Sequence, residues 1–439
     1  MKNNNYAIRF IQVALVCLIL GLLCGLLAGF QYMIPAFIKE IVPFSVLRPL
    51  HTLFIISWIL LATIGGIYYY LQCESNTILT QIRMIAVHFW LFVLTGIGII
   101  AAYFMSIFEG KEYLEFPHVF YIPIVLGWLL FGVYFITSQK VSLSQWPVYK
   151  WMWGTGIVFM IFHLTEAHLW ILPYFRAHFL QNIAIQWKAG GSYVGSWNML
   201  VYGTAIYVMT KISSNNTYAV SKKAFFFYFL GLTNLMFGWA HHIYVIPTAP
   251  WIRYVAYVIS MTEWVVLVTI IYDWKKNLNT TLKTRYTIAY KVILLADLWV
   301  FLNLILALLI SIPAINLFTH GTHITVAHSM GTTIGINTLI LIASLVYINE
   351  SKKVFSTIVQ QRFSRALRLF NWAFSGFFVC LLLMGIKRSH WNYFSKELPF
   401  SSLQSSMHWM YIIFVFLGFL MFLELYRIVK ELWLLFSSK

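Results

Sequence analysis

Charge is scarce in this 439-residue chain: 10% of its residues are Asp, Glu, Lys or Arg, and only 13 are acidic. A soluble chain of this length carries about a quarter charged residues, so a water-facing globular protein is excluded. Cysteine is scarce too. Cys17, Cys24, Cys73 and Cys380 form no CxxC or CxxCH pair, which excludes covalent c-type haem and a thiolate metal site. There is no internal repeat, no low-complexity tract and no polar stretch long enough for a separate soluble domain. The first apolar run, about residues 7–33, has no A-x-A cleavage site and is expected to remain as a span.

What is abundant is apolar sequence. The chain is 61% hydrophobic and 18% aromatic, with mean hydropathy +0.78. That composition belongs to polytopic membrane proteins, whose aromatic residues fill interfacial belts and helix-packing layers. Twelve apolar runs approach or exceed the roughly 20 residues needed to cross a bilayer. They lie at 8–32, 51–73, 83–107, 119–138, 151–174, 192–211, 224–247, 252–274, 287–313, 322–348, 367–386 and 407–435. The expected fold is therefore all-α, twelve transmembrane helices in a single membrane domain spanning 1–439.

The net charge of +17 invites a nucleic-acid reading, but the basic residues sit in short loops between apolar runs. They read as positive-inside topology. With the N-terminus inside, 21 of the 30 Lys and Arg residues fall on the inner side. Both termini are expected on the cytoplasmic face of a bacterial-type inner membrane, and no nucleic acid is expected as a partner.

The histidines carry the chemistry. On this topology His51 opens the second span at the outer face, and His241 and His242 lie near the outer end of the seventh. His320, His323 and His328 occupy the first turns of the tenth. A membrane span normally excludes imidazole. One buried histidine per helix is ordinarily a packing residue, whereas several at one depth on different helices point to metal or haem ligation. Adjacent histidines on a helix point about 100° apart. His241 and His242 reach one metal only if that helix end is loosened, and Pro247 follows shortly after. His328 and Met330 are two residues apart and face nearly opposite ways, so one helix can serve two cofactors.

The ensemble of RPLHT at 48–52, IQW at 185–187, the HH pair and THGTHITVAH at 319–328 resembles the catalytic subunit of the haem–copper oxidase superfamily. Within it, the chain is most similar to the branch of nitric oxide reductase large subunits and C-family oxygen reductases. The resemblance runs over nearly the whole chain. It implies two haems b and a non-haem iron or copper. His51 is then an axial ligand of the low-spin haem and His328 the proximal ligand of the high-spin haem. His241 and His242 are then ligands of the non-haem metal. Glu263, in SMTEW, matches the mid-membrane glutamate of nitric oxide reductases; about 18 Å into its span, a desolvated carboxyl suits proton delivery. Lys387 and Arg388, outside after the eleventh span, suit haem propionates or are ordinary loop charges.

Two positions depart from the family pattern. Aligning IQW and Val194-Gly195 puts the third histidine ligand of the non-haem metal at Gly191, and KAGGSYVGSW contains no histidine. Two imidazoles alone make a weak, open site. His163 and His168 lie at usable depth, but their i, i+5 spacing puts them on different faces. Met330 stands where the family has the second axial histidine; methionine ligates haem and raises its potential, and it is also an ordinary core filler.

Three functions are open at this point. The first is a respiratory enzyme that reduces a small gas, nitric oxide in preference to oxygen. Its electrons come from a cytochrome c-type subunit or quinol and pass from the low-spin to the high-spin haem. The second is a non-catalytic haem-binding paralogue for electron transfer or gas sensing. The third is a transporter whose intramembrane histidines, Glu263 and Asp297 line a proton path.

Overall fold

The computed structural model describes residues 5–74, 79–244, 249–259, 280–395 and 397–437, with Tyr272 and Lys276. Among these residues the regular structure is helical apart from one isolated bridge, Lys111 to Leu114. A bilayer demands this, because only a helix or a closed barrel satisfies every backbone amide away from water.

Nine helices among the described residues are long and apolar enough to cross a membrane, which makes this an integral membrane protein. They are α1 (Tyr6–Met33), α2 (Phe44–Glu74), α3 (Leu79–Phe104), α4 (Tyr121–Thr137) and α5 (Val148–Ala167), followed later by α9 (Thr287–Ser311), α10 (His323–Glu350), α11 (Thr357–Phe394) and α12 (Phe400–Ser437). Between these groups lie α6 (Gly190–Ser213), α7 (Lys222–Phe237) and α8, helical over 250–259.

The twelve expected spans are thus matched as nine. The run at 192–211 forms α6, but its Ser, Thr, Tyr and Asn residues leave it less apolar than the others. The run at 224–247 gives only the 16 residues of α7, because the chain tightens into a 3-10 segment over Gly238–Ile243. Most of 252–274 lies outside the described residues.

Local sequence sets the helix ends. Pro35 follows the last turn of α1, and Pro313 cannot extend α9. Ser221, Thr322 and Ser356 cap α7, α10 and α11 by accepting a main-chain N–H. Glu350, at the end of α10, accepts the main-chain N–H groups of Ile288 (3.0 Å) and Ala289 (3.1 Å). This carboxylate satisfies donors at the start of α9 and ties the two helices together.

α10 is the central helix: 83% of its apolar window is buried, against 61% or less in the other eight. α1 packs on α2 and α12, α5 on α6, and α9 on α10.

Candidate functional site

A cavity of about 290 Å³ opens between α6, α7, α9 and α10. Its wall includes Trp187, Gly190, Gly191 and Val194 from α6 and the turn before it, Gly238 and Trp239 from the end of α7, and Asn303 and Ser311 from α9. His328 and Thr332 enter from α10, and Glu112 and Tyr113 from the loop after α3. Gly190, Gly191, Gly238 and Ser311 stand at the ends or starts of their helices, whereas Asn303 and Thr332 lie further along theirs, so the cavity reaches into the bundle.

Two π-helical segments shape that wall. Ile185–Ala189 leads into α6, and Gly331–Thr338 interrupts α10 directly after His328 and Met330. A π-turn widens the helix by one residue and re-aims the side chains beyond it; such turns recur at functional sites. Polar contacts pin the second one. Asn303 Nδ2 donates to Thr332 Oγ1 (2.8 Å), Asn337 Nδ2 donates to Asn198 Oδ1 (3.0 Å), and Trp58 Nε1 donates to Thr338 Oγ1 (3.0 Å).

His328 sits in the cavity wall. Its Nδ1 is buried and meets no acceptor in hydrogen-bond geometry; the Asn303 main chain gives only a loose contact. A buried imidazole costs free energy unless its nitrogens find partners. An imidazole at the wall of a partly open, mostly apolar cavity, with a ring nitrogen lacking a partner, has the chemistry of a haem ligand, so His328 fits a haem here.

His51 is held differently. Its Nδ1 lies 2.7 Å from the carbonyl oxygen of Gly21 on α1. With Nδ1 protonated towards that acceptor, Nε2 is the nitrogen left with a lone pair, the tautomer a metal needs. Gly25, one turn further along α1, makes room for the ring: a Cβ there would stand 2.7 Å from His51 Cε1 and Nδ1.

The position of Met330 follows from the Trp58–Thr338 bond, which sets the register of α2 against α10. His51 is seven residues before Trp58, on nearly the same side of α2, and Met330 is eight before Thr338, directly before the π-helical segment. Each therefore lies on the order of 10 Å along its own helix from that bond. Met330 is half-buried against the core and is not part of the cavity wall, so it faces away from His328.

The other expected residues divide. The side chains of His241 and His242 lie outside the described residues, as does all of Glu263. The backbone of His241 and His242 belongs to the 3-10 segment Gly238–Ile243 that ends α7. Gly191 lines the cavity and brings no donor atom. Among the described residues, no three His, Cys, Asp or Glu side chains converge to hold a metal ion.

His163 and His168 are not in the cavity wall. His163 Nδ1 is 3.0 Å from Glu166 Oε2, and Lys188 Nζ donates to the same carboxylate at 2.5 Å. His168 Nδ1 binds the carbonyl of Leu164 at 2.7 Å. Lys387 Nζ donates to the carbonyl of Ser406 at 2.7 Å, and the Arg388 guanidinium lies over Trp391 and Phe400.

Sequence reading missed the Glu166–Lys188 pair, which anchors the turn leading to Gly190 and Gly191. Two opposite charges inside apolar runs were the available signal. It also missed Gly21 and Gly25, whose i, i+4 spacing marks one stripe of α1.

The family profile of cytochrome c and quinol oxidase polypeptide I matches residues 5–420. The B subunit of nitric oxide reductase from Stutzerimonas stutzeri is 24% identical over 376 residues, covering 79% of this chain and 75% of the relative. A cryo-EM structure of a heme-copper terminal oxidase dimer superimposes with TM-score 0.73 at 14% identity, over 100% of this chain and 85% of that one. The profile match carries family membership, and the structural match carries the fold.

Proposed function

The chain belongs to the cytochrome c and quinol oxidase polypeptide I family, and from that premise we propose that it is the catalytic subunit of a respiratory enzyme reducing nitric oxide in preference to oxygen. The observation that carries the reading is His328, half-buried in the wall of the cavity with its Nδ1 out of water and without an acceptor in hydrogen-bond geometry. The family implies haem and a metal centre; a haem there supplies one-electron iron chemistry to a gas bound beside it.

The chain's own residues act as follows in this reading. His328 is the proximal ligand of a high-spin haem b. His51, its tautomer set by Gly21, and Met330 hold a low-spin haem b from α2 and α10. His241 and His242 bind a non-haem iron or copper, and Glu263 delivers protons. Lys387 and Arg388 neutralise propionates. Nitric oxide is preferred because Glu263 matches the family glutamate and because a nitric oxide reductase is a relative over most of the chain. Electrons arrive from a cytochrome c-type subunit or from quinol. The chain forms one domain of twelve spans in a bacterial-type inner membrane, with both termini cytoplasmic.

A second reading rests on one observation: Gly191 lines the cavity where the family carries a ligand. A chain without the non-haem metal is a haem-binding paralogue for electron transfer or gas sensing. The test is NO and O₂ consumption by the purified, haem-loaded protein with a chemical reductant. NO turnover above O₂ turnover supports the first reading. Absence of both, with haem bound and no further iron or copper, supports the second.

A further inference from the structure

An open groove of about 600 Å³ lies between α9 and the start of α11, far from the histidines. Lys291, Arg362, Ser364, Arg365 and Arg368 line it. The three arginines recur every third residue, which places them along one side of α11. From α9, Lys291 Nζ donates to Ser364 Oγ at 3.2 Å, closing the other wall. Among the described residues two carboxylates lie against this charge: Glu431 accepts from Arg362 Nη1 at 3.3 Å, and Glu350, bound to the start of α9, stands near enough to Lys291 to feel its charge. The groove therefore keeps a net positive charge, concentrated at Arg365 and Arg368.

Height and surroundings decide what fits. α11 has 38 residues, about 57 Å of helix. The hydrocarbon layer is about 30 Å thick, so one end of α11 must project. Its apolar part begins after Arg368, which puts the arginines at headgroup level. The same side of the helix continues through Leu369, Trp372, Val379 and Leu383, exposed by 42, 74, 52 and 47%. Tryptophan at that height is the usual interfacial residue. A cationic mouth thus opens directly onto an apolar wall that faces lipid. Guanidinium forks match phosphate oxygens in pairs, and like charges held together at the membrane edge favour an anion between them.

We propose that this groove binds the headgroup of an anionic phospholipid. Arg365, Arg368 and Lys291 hold the phosphate, and the acyl chains lie along Trp372, Val379 and Leu383. A free polyphosphate would meet the same cations but gain nothing from the apolar wall.

The test uses the full chain, delipidated in detergent and exposed to phosphatidylcholine, phosphatidylglycerol, cardiolipin or inorganic pyrophosphate, with adducts read by native mass spectrometry. The wild type is expected to retain the anionic lipids at least tenfold better than phosphatidylcholine. R365Q/R368Q is expected to lose that preference, and W372A to weaken retention several-fold. K222Q/K223Q removes two cations from another loop and is expected to leave it unchanged. Equal lipid retention by R365Q/R368Q and K222Q/K223Q overturns the proposal. So does pyrophosphate bound as tightly as lipid with no effect of W372A, which assigns the groove to a soluble phosphate compound. W372A keeps every cation, so the proposal remains testable if the arginine variant does not fold.

Discussion

His51 Nδ1 donates to the carbonyl oxygen of Gly21, 2.7 Å away on the neighbouring helix. That contact fixes which ring nitrogen is free and which way the ring points. It is supported by Gly25, whose missing side chain is the space the ring occupies. Gly25→Ala is therefore expected to displace the imidazole. Overpacking costs about 1–3 kcal/mol, roughly five- to 150-fold in affinity for the low-spin haem. Haem titration of the variant checks this. Gly96→Ala, where an added Cβ meets no atom within 4 Å, serves as the control and is expected to bind as the wild type.

Met330 is carried by α10, which the Trp58–Thr338 bond ties to α2, the helix of His51. If its sulfur is the second axial ligand, Met330→Leu converts the low-spin signal to a high-spin one. Met330→His restores the low-spin state with a midpoint potential lower by on the order of 0.1 V, because His/His ligation favours the oxidised iron more than His/Met does. Optical redox titration reads both. Unchanged spectra in Met330→Leu would make Met330 a packing residue.

Glu166 is shared by Lys188 and His163 beside the turn that leads to Gly190 and Gly191. Removing one partner of this half-buried pair leaves the other charge partly uncompensated, at a cost of about 1–2 kcal/mol. Glu166→Gln is expected to lower the melting temperature in detergent, and Glu166→Gln with Lys188→Met to recover most of the loss. Equal melting temperatures for wild type and Glu166→Gln would show that the pair is solvated and weak.

Glu263→Gln retains the shape of the side chain and removes its titration. In the proposed function it lowers NO turnover roughly a hundredfold while the haem spectrum stays the same. Full activity in this variant would take the proton route away from Glu263.

Much of this molecule was legible because the bilayer restricts the choices. Long apolar runs read as spans, and the positions of nine helices follow from them. Counting spans gives the expectation that His51 and His328 lie towards one end of the bundle. The limits of α7 were less legible: Gly238–Ile243 tightens to a 3-10 helix inside an apolar run, and hydropathy carries no sign of it. The π-segments at Ile185–Ala189 and Gly331–Thr338 were also invisible, since they arise from tertiary contacts such as Asn303–Thr332 and Asn337–Asn198. Gly191 was legible as a departure from the family, and the cavity wall shows the consequence: backbone where a ligand would stand.

The most direct measurement is the reduced-minus-oxidised spectrum of the purified protein beside His51→Ala and His328→Ala, with haem, iron and copper counted per chain. The proposed function predicts two haems b and one further iron or copper in the wild type. His51→Ala should lose the low-spin band alone, and His328→Ala the high-spin, ligand-reactive haem alone. A colourless wild-type protein, or two variants that both keep the wild-type spectrum, would contradict it.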